Sequence, residues 1–419
     1  MFKRFLAILI IVSGLADASA QRQFSATWYV DGAKEKYENR SHTALESMEQ
    51  GSSVIYATNG VDLILTKLRM NKTSGSVMDD DRRETGRNST LLADGGSKVL
   101  LEECDVTSHT AQADGLTSSG KGTMVIVQAG GVTINRAGSA ALNAIHEGKI
   151  VVQATNVNTA GNQSPAFLAH DGGQIDVTGA NGLTAGQGSP LFHADGMIVG
   201  VKCRMTAGKW TIGNVENGEL LLNKNEFKSG GVSGFLLYST KSPDVKSLLS
   251  LVNNSLQVGE GPLFLVTNNN DARIMMKGNK ISCKSDYLMQ VKSDDWGVKG
   301  SNGGHATLEV EKQALSGDIF VDSISSLELK LNKGGKLNGQ INDKENRCAV
   351  VNVHMGKGSS WTSKGESYVT SIVFEQPLAK GLKQLKGKHI IYYDPADPAN
   401  APLEGKEHKT GGGVLRPLK

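Results

Sequence analysis

Gly148-Lys-Ile-Val-Val152, followed by Gln163-Ser-Pro-Ala-Phe-Leu-Ala-His-Asp171, returns as Gly172-Gly-Gln-Ile-Asp-Val177, followed by Gly188-Ser-Pro-Leu-Phe-His-Ala-Asp195. The two blocks follow one another at a period of 24 residues, and a third begins at Gly196. A repeat of this length marks a solenoid, in which each unit buries its apolar face only against its neighbours. Ile150 and Val152, Ile175 and Val177, Val132 and Ile134, and Val99 and Leu101 each skip one position, the spacing of strands with one face inward. Ala-Gly-Asn, Asn-Gly and Asp-Gly between them supply turns. Three short strands and three turns fill one such unit. The expectation is an all-β parallel β-helix of roughly 15 coils, stacked about 4.8 Å apart. An antiparallel sandwich would show hairpins every 8 to 12 residues instead of near-copied blocks.

Outward from these blocks, the repeat is clearest over 91–218 and looser beyond, where Gly261-Pro-Leu-Phe264 echoes Ser189-Pro-Leu-Phe192. Ile319–Val321, Leu327–Leu331 and Leu337–Ile341 read as further strands. Residues 74–90 read as a polar excursion. Val245–Val252 reads as a strand with a side loop in preference to a short helix. Residues 21–376 are assigned to the β-helix and 377–419 to its basic C-terminal end or cap.

Residues 1–20 read as a secretory signal peptide. Lys3 and Arg4 precede the apolar run Phe5–Ile11, and Ala18-Ser19-Ala20 forms a cleavage signal. The run is too short to span about 30 Å of hydrocarbon. No later segment reads as a transmembrane helix. The expected location is therefore secreted: periplasm, cell surface or extracellular space. Glycine is abundant, 50 of 419 residues, while aromatics are 5%, which suits a narrow core of Val, Ile, Leu and Ala. A net charge of +3 from 45 basic and 42 acidic residues argues against nucleic acid as a partner. Cys104, Cys203, Cys283 and Cys348 lie several coils apart with no C-x-x-C pair, so mostly buried free thiols are expected.

Asp295-Trp-Gly-Val-Lys-Gly-Ser-Asn-Gly-Gly304, Leu315-Ser-Gly-Asp-Ile-Phe-Val-Asp-Ser-Ile-Ser-Ser-Leu327, Ser367-Tyr-Val-Thr-Ser371, Ile391-Tyr-Tyr-Asp394 and Gly411-Gly-Gly413 form a further pattern. Here the chain resembles the exported bacterial adhesin-like β-strand-repeat proteins. The resemblance covers most of the chain, weakly before residue 90, and 295–327 is its specific part. It implies a right-handed parallel β-helix and a cell-surface or extracellular setting. It brings no catalytic residues. Many such proteins are richer in Thr, Ser and Gly, whereas this chain carries more Lys, Asn and Met.

Polysaccharide lyases and inverting glycosidases share this fold class. A lyase needs clustered carboxylates with an Arg or Lys base; an inverting hydrolase needs two carboxyls roughly 6.5–9.5 Å apart. Asp171 and Asp195 recur, and Asp94 has the same turn type, but each precedes Gly, so a turn role is the simpler reading. His146, His170 and His193 lie near the same turn, with a register slip that argues against a metal ladder. Asp79, Asp80 and Asp81 are further candidate binding residues, with calcium as the sharper reading; with Arg82, Arg83 and Glu84 they form a charge run that lacks calcium-loop spacing, so a self-neutralising solvated loop is the plainer role. Asp295 and Trp296 are the candidate glycan platform, since an indole stacks on sugar rings; covering a core edge is the plainer role. Trp28 and Tyr29 are read as a cap on the first coil, and Tyr392 and Tyr393 as one at the far end. The lysines of 378–419 suit an anionic surface or plain solvation. There is no nucleotide loop, catalytic triad or zinc spacing. The expected function is that of an exported, non-enzymatic element that binds a glycan or a protein, without cofactor or metal. The alternative is a polysaccharide-acting enzyme with three acidic residues and a basic one on one face. A passive rod is a third possibility.

Overall fold

A computed structural model describes residues 24–32, 34–38, 44–77, 85–240 and 242–419. The segment read as a leader and the Asp79–Asp81 run lie outside them. The chain is a β-solenoid of about 15 turns with 4% helix. The coil at Phe167 shows how sequence becomes shape. Phe167–Thr178 is one bent strand: its first four residues lie on one face, and its last five, after the turn at Asp171–Gly173, on a second. A further corner at Gly179 leads to Asn181–Thr184 on the third face. The first two faces merge into a 24-stranded parallel sheet. The third is a 10-stranded parallel sheet, continued by a separate 4-stranded one.

Register corrects the 24-residue reading. Phe167 pairs with Phe192 and Ile150 with Ile175, so this coil is 25 residues long. His170, not Asp171, therefore lies beside Asp195. The period then shortens between Phe192 and Gly213 and lengthens between Phe235 and Phe264. Lys246–Val252 is a strand, as expected, and so are Asp318–Val321, Ser326–Leu331 and Lys336–Asn338.

The core is built of columns. Val125, Ile150, Ile175, Ile198, Leu220, Leu249 and Ile274 stack in register, each essentially fully buried. Burial of such a side chain contributes about 1.5–3 kcal/mol. Phe167 stacks on Phe192 with ring centroids 5.3 Å apart. At the corner between the second and third faces one residue per coil adopts positive φ: Lys67, Glu103, Ala129, Ala154, Gly179, Lys202, Lys224, Asn253, Gly278 and Lys312. The residue that follows points inward. In this second column stand Cys104, Thr155, Ala180, Cys203, Asn225, Asn254, Asn279 and Gln313. The amides form a buried ladder. Asn225 Oδ1 accepts from the Cys203 N–H at 2.8 Å, Asn254 Oδ1 from the Asn225 N–H at 3.0 Å, and Asn279 Oδ1 from the Asn254 N–H at 2.9 Å. Each Nδ2 donates back to a carbonyl: Gly200, Leu222 and Leu251 respectively.

All four cysteines are free. Cys104 and Cys203 are buried in the amide column, and burial raises both thiol pKa values, that of Cys104 to about 11. Cys283 is half-buried and Cys348 exposed, so the expectation of burial holds for two of the four. At the amino-terminal end, Trp28 packs on the core from Ser25–Asp31, which pairs with Ser52–Thr58. At the other end, Val414–Pro417 pairs with Ile390–Tyr393, and His408–Lys409 lies antiparallel on it. Tyr393 is buried there, and Tyr392 stacks on Tyr368 at 4.7 Å. No helix among the described residues is long and apolar enough to cross a membrane.

Candidate functional site

On the first face, alternate residues point outward. Register places His170 beside Asp195, and Leu168, His193 and Asn214 in the neighbouring outward column. Val215 and Leu237 continue the inward Ala194 column, so Glu216 and Tyr238 follow Asp195 on the outward side. Strand alternation thus gathers two acids, two histidines and a tyrosine over successive coils.

At the edge of this face a recess of about 740 Å³ opens at the corner between the first two faces, with His146, His170, Asp171, Asp195, Asn217 and Glu219 in its wall. The Asp171-Gly172 turn forms as Asp-Gly turns do, with positive φ at both residues. His146 also has positive φ, 51°, and its Nδ1 pairs with Asp171 Oδ2. Non-glycine residues in this region cost on the order of 1 kcal/mol, and this corner takes them as the corner at Lys67, Glu103 and Ala129 does. Asp195 and Gly196, within the strand Phe192–Val201, have no positive φ. The two Asp-Gly pairs are therefore not equivalent, as the matched blocks had suggested. Asp94 stands apart, several coils away, where it accepts from the Tyr56 hydroxyl at 2.7 Å.

Beyond the recess, His193 Nε2 lies 3.4 Å from Glu216 Oε2. Glu216 also accepts from the Thr240 N–H at 3.3 Å and the Thr240 hydroxyl at 3.0 Å. Burial works to raise the Glu216 pKa, but the hydrogen bond and charge of His193 together with the Thr240 donors outweigh it and hold the carboxyl below its ordinary value. Glu216 is thus a fixed anion at neutral pH. A row of rings continues along the face: His193 to Tyr238 at 6.5 Å, and Tyr238, itself buried, to Trp296 at 4.9 Å with a 40° tilt.

Trp296 reaches Tyr238 from a loop outside the coil. Asn302 Nδ2 braces that loop by donating to the carbonyls of Trp296, at 2.8 Å, and Asp294. Trp296 is half-buried and Asp295 exposed. Of the expected site residues, the structure thus brings Trp296 to the outward face, leaves Asp295 at the solvent edge, and does not describe Asp79, Asp80 and Asp81.

Glu216, Tyr238 and Glu219 were missed. The signal was present in Gly213-Asn-Val-Glu, which repeats Phe192-His-Ala-Asp, but the shortened coil hides it from a fixed period. Among the described residues no group of three or more His, Cys, Asp or Glu side chains is arranged to hold a metal ion. No protein-family model matches the chain, and no curated protein matches it in sequence.

Proposed function

We propose that this protein is an exported, adhesin-like β-helix that binds a glycan along the outward side of its first face. The observation that carries the reading is the half-buried Trp296, seated on the buried Tyr238 and followed along the face by His193, near an open recess lined by carboxylates and imidazoles. Aromatic rings offer flat apolar surface to the C–H side of a sugar, while fixed carboxylates accept from its hydroxyls. Binding then extends over several coils, which suits a linear polymer. The leader-like residues 1–20 and the resemblance to exported β-strand-repeat proteins support an extracytoplasmic setting.

The test is a glycan array probed with the purified chain, run beside reducing-sugar and unsaturated-product assays. Saturable binding without product, weakened at least about tenfold by Trp296→Ala, is the expected result. Absence of binding to any glycan would sink the proposal. One observation favours a second reading, polysaccharide cleavage: the His146–Asp171 pair faces the same recess as Asp195 and Glu219. Product formation abolished by Asp195→Asn would establish that reading instead.

A further inference from the structure

The third face is interrupted. Its 10-stranded sheet ends at Lys280–Cys283, and the next strand on that face, Ala314–Ser316, pairs only forward, with Lys336–Asn338. The two coils are nonetheless joined on both sides of the break. The Asn279 N–H donates to Gln313 Oε1 at 2.5 Å, and the Asp318 N–H donates to the Asp286 carbonyl at 2.7 Å. Between these joints one coil runs through residues 280–285 and the next only through 314–317. The longer arc cannot follow the shorter at ladder spacing, so pairing fails. A recess of about 820 Å³ opens there, with Ile281, Cys283, Tyr287, Ala314, Ser316 and Lys364 in its wall. The core registers the same break. Leu256 and Val258 are each 1% exposed, whereas Ile281 and Cys283, which follow them in register, are only half-buried.

The backbone at this edge has a defined direction. Lys280 and Lys284 donate their N–H groups backward, to Asn254 at 2.8 Å and Val258 at 3.2 Å. Alternate residues of a parallel strand face alternate neighbours. Ile281 and Cys283 therefore present N–H and C=O groups forward, into the recess. Opposite them, Ala314 and Ser316 are exposed and short, which leaves room for a backbone to approach.

We propose that this edge accepts an extended, acidic segment of another polypeptide, added as one more strand beside Lys280–Cys283. Unpaired main-chain donors and acceptors select a backbone as the ligand. Charge selects its composition. Lys280 and Lys284 are exposed at the two ends of the forward-unpaired strand and Lys336 on the strand beyond Ala314–Ser316, while the wall itself holds Lys364 with Asp286 and Asp318. The Asp318 carboxylate already accepts from the Gln340 N–H at 2.7 Å. Acidic side chains on the added strand complement this rim.

The probe is a library of short linear peptides displayed on phage and selected on the purified chain. Enrichment of acidic sequences is expected. Cys283→Pro removes a forward-facing N–H while leaving the backward ladder intact, so it should weaken binding about tenfold or more without lowering the melting temperature appreciably. Cys283→Ala should bind like the native chain, because the thiol is not the contact. Selection of no peptide, or equal binding by Cys283→Pro, overturns the proposal. If the proline variant does not fold, amide hydrogen exchange of the native chain decides: slowing at Ile281 on peptide addition supports the added strand, and unchanged exchange refutes it.

Discussion

Lys72 occupies an inward position of the third face that Ile134 and Val258 fill in later coils. It is fully buried, yet each of its donors has a partner: the Ser52 carbonyl at 2.7 Å, the Glu49 carbonyl and the Ser47 hydroxyl at 3.4 Å. The ammonium thus caps carbonyls of the turn at 49–52 in place of water. Burial lowers its pKa from 10.5 to about 8, against the pull of Glu49. Folding therefore favours the neutral amine, and the unfolded chain binds the extra proton between those pH values. Stability from this group should rise as pH climbs from about 8 to 10.5, and its penalty should be fully present below 8. Urea midpoints at pH 8 and pH 10 for the native chain and Lys72→Met check this. The native chain should gain on the variant over that interval; parallel shifts would refute it. A lysine among serines gave no sign in the sequence of lying inside, because its reach to main-chain carbonyls depends on a turn from the coil before.

Among the elements, the amide ladder is the clearest case of a feature the sequence concealed. Asn225, Asn254, Asn279 and Gln313 touch in succession, but their separations along the chain are 29, 25 and 34 residues. A fixed period cannot find them. Asn254 joins two coils: its Oδ1 accepts from the N–H and Nδ2 of Asn225, and its Nδ2 donates to Leu222 O and Asn279 Oδ1. Asn254→Leu leaves several buried polar groups unmatched and should destabilise the chain by about 3 kcal/mol, read as a lower urea midpoint. A midpoint unchanged from native would show that the ladder is idle. The strands themselves were legible, because Ile150, Val152, Ile175 and Val177 alternate and the blocks around them recur. Handling of the corners was not. The same inward place takes Cys104, Thr155, Ala180, Cys203 or Asn225, since a small side chain fits and any polar atom it carries finds a nearby carbonyl. The outward site was half legible for a similar reason. His170, Asp171, His193 and Asp195 stood out as repeats, but their partners Glu216 and Tyr238 come from coils of altered length.

At the scale of the whole molecule, a stack of parallel strands must end without offering an edge. At the carboxy-terminal side the antiparallel strand His408–Lys409 lies on Val414–Pro417, and the Tyr393 hydroxyl donates to the Lys406 carbonyl at 2.9 Å. Removing residues 406–419 should uncover Ile390–Tyr393 and lower the melting temperature, with self-association visible by light scattering. A truncated chain that stays monomeric and equally stable would show that the cap is dispensable. The break in the third face bears on the rod as a material. Interstrand hydrogen bonds run along the axis of such a stack, so a tether pulling on its two ends loads them directly. Most junctions between coils share that tension over three faces. At the junction between Lys280–Cys283 and Ala314–Ser316 the pairing of two faces, with the Asn279–Gln313 amide bonds and one main-chain bond at the margins of the third, carries it all. A stretched rod would hinge open here on its third side.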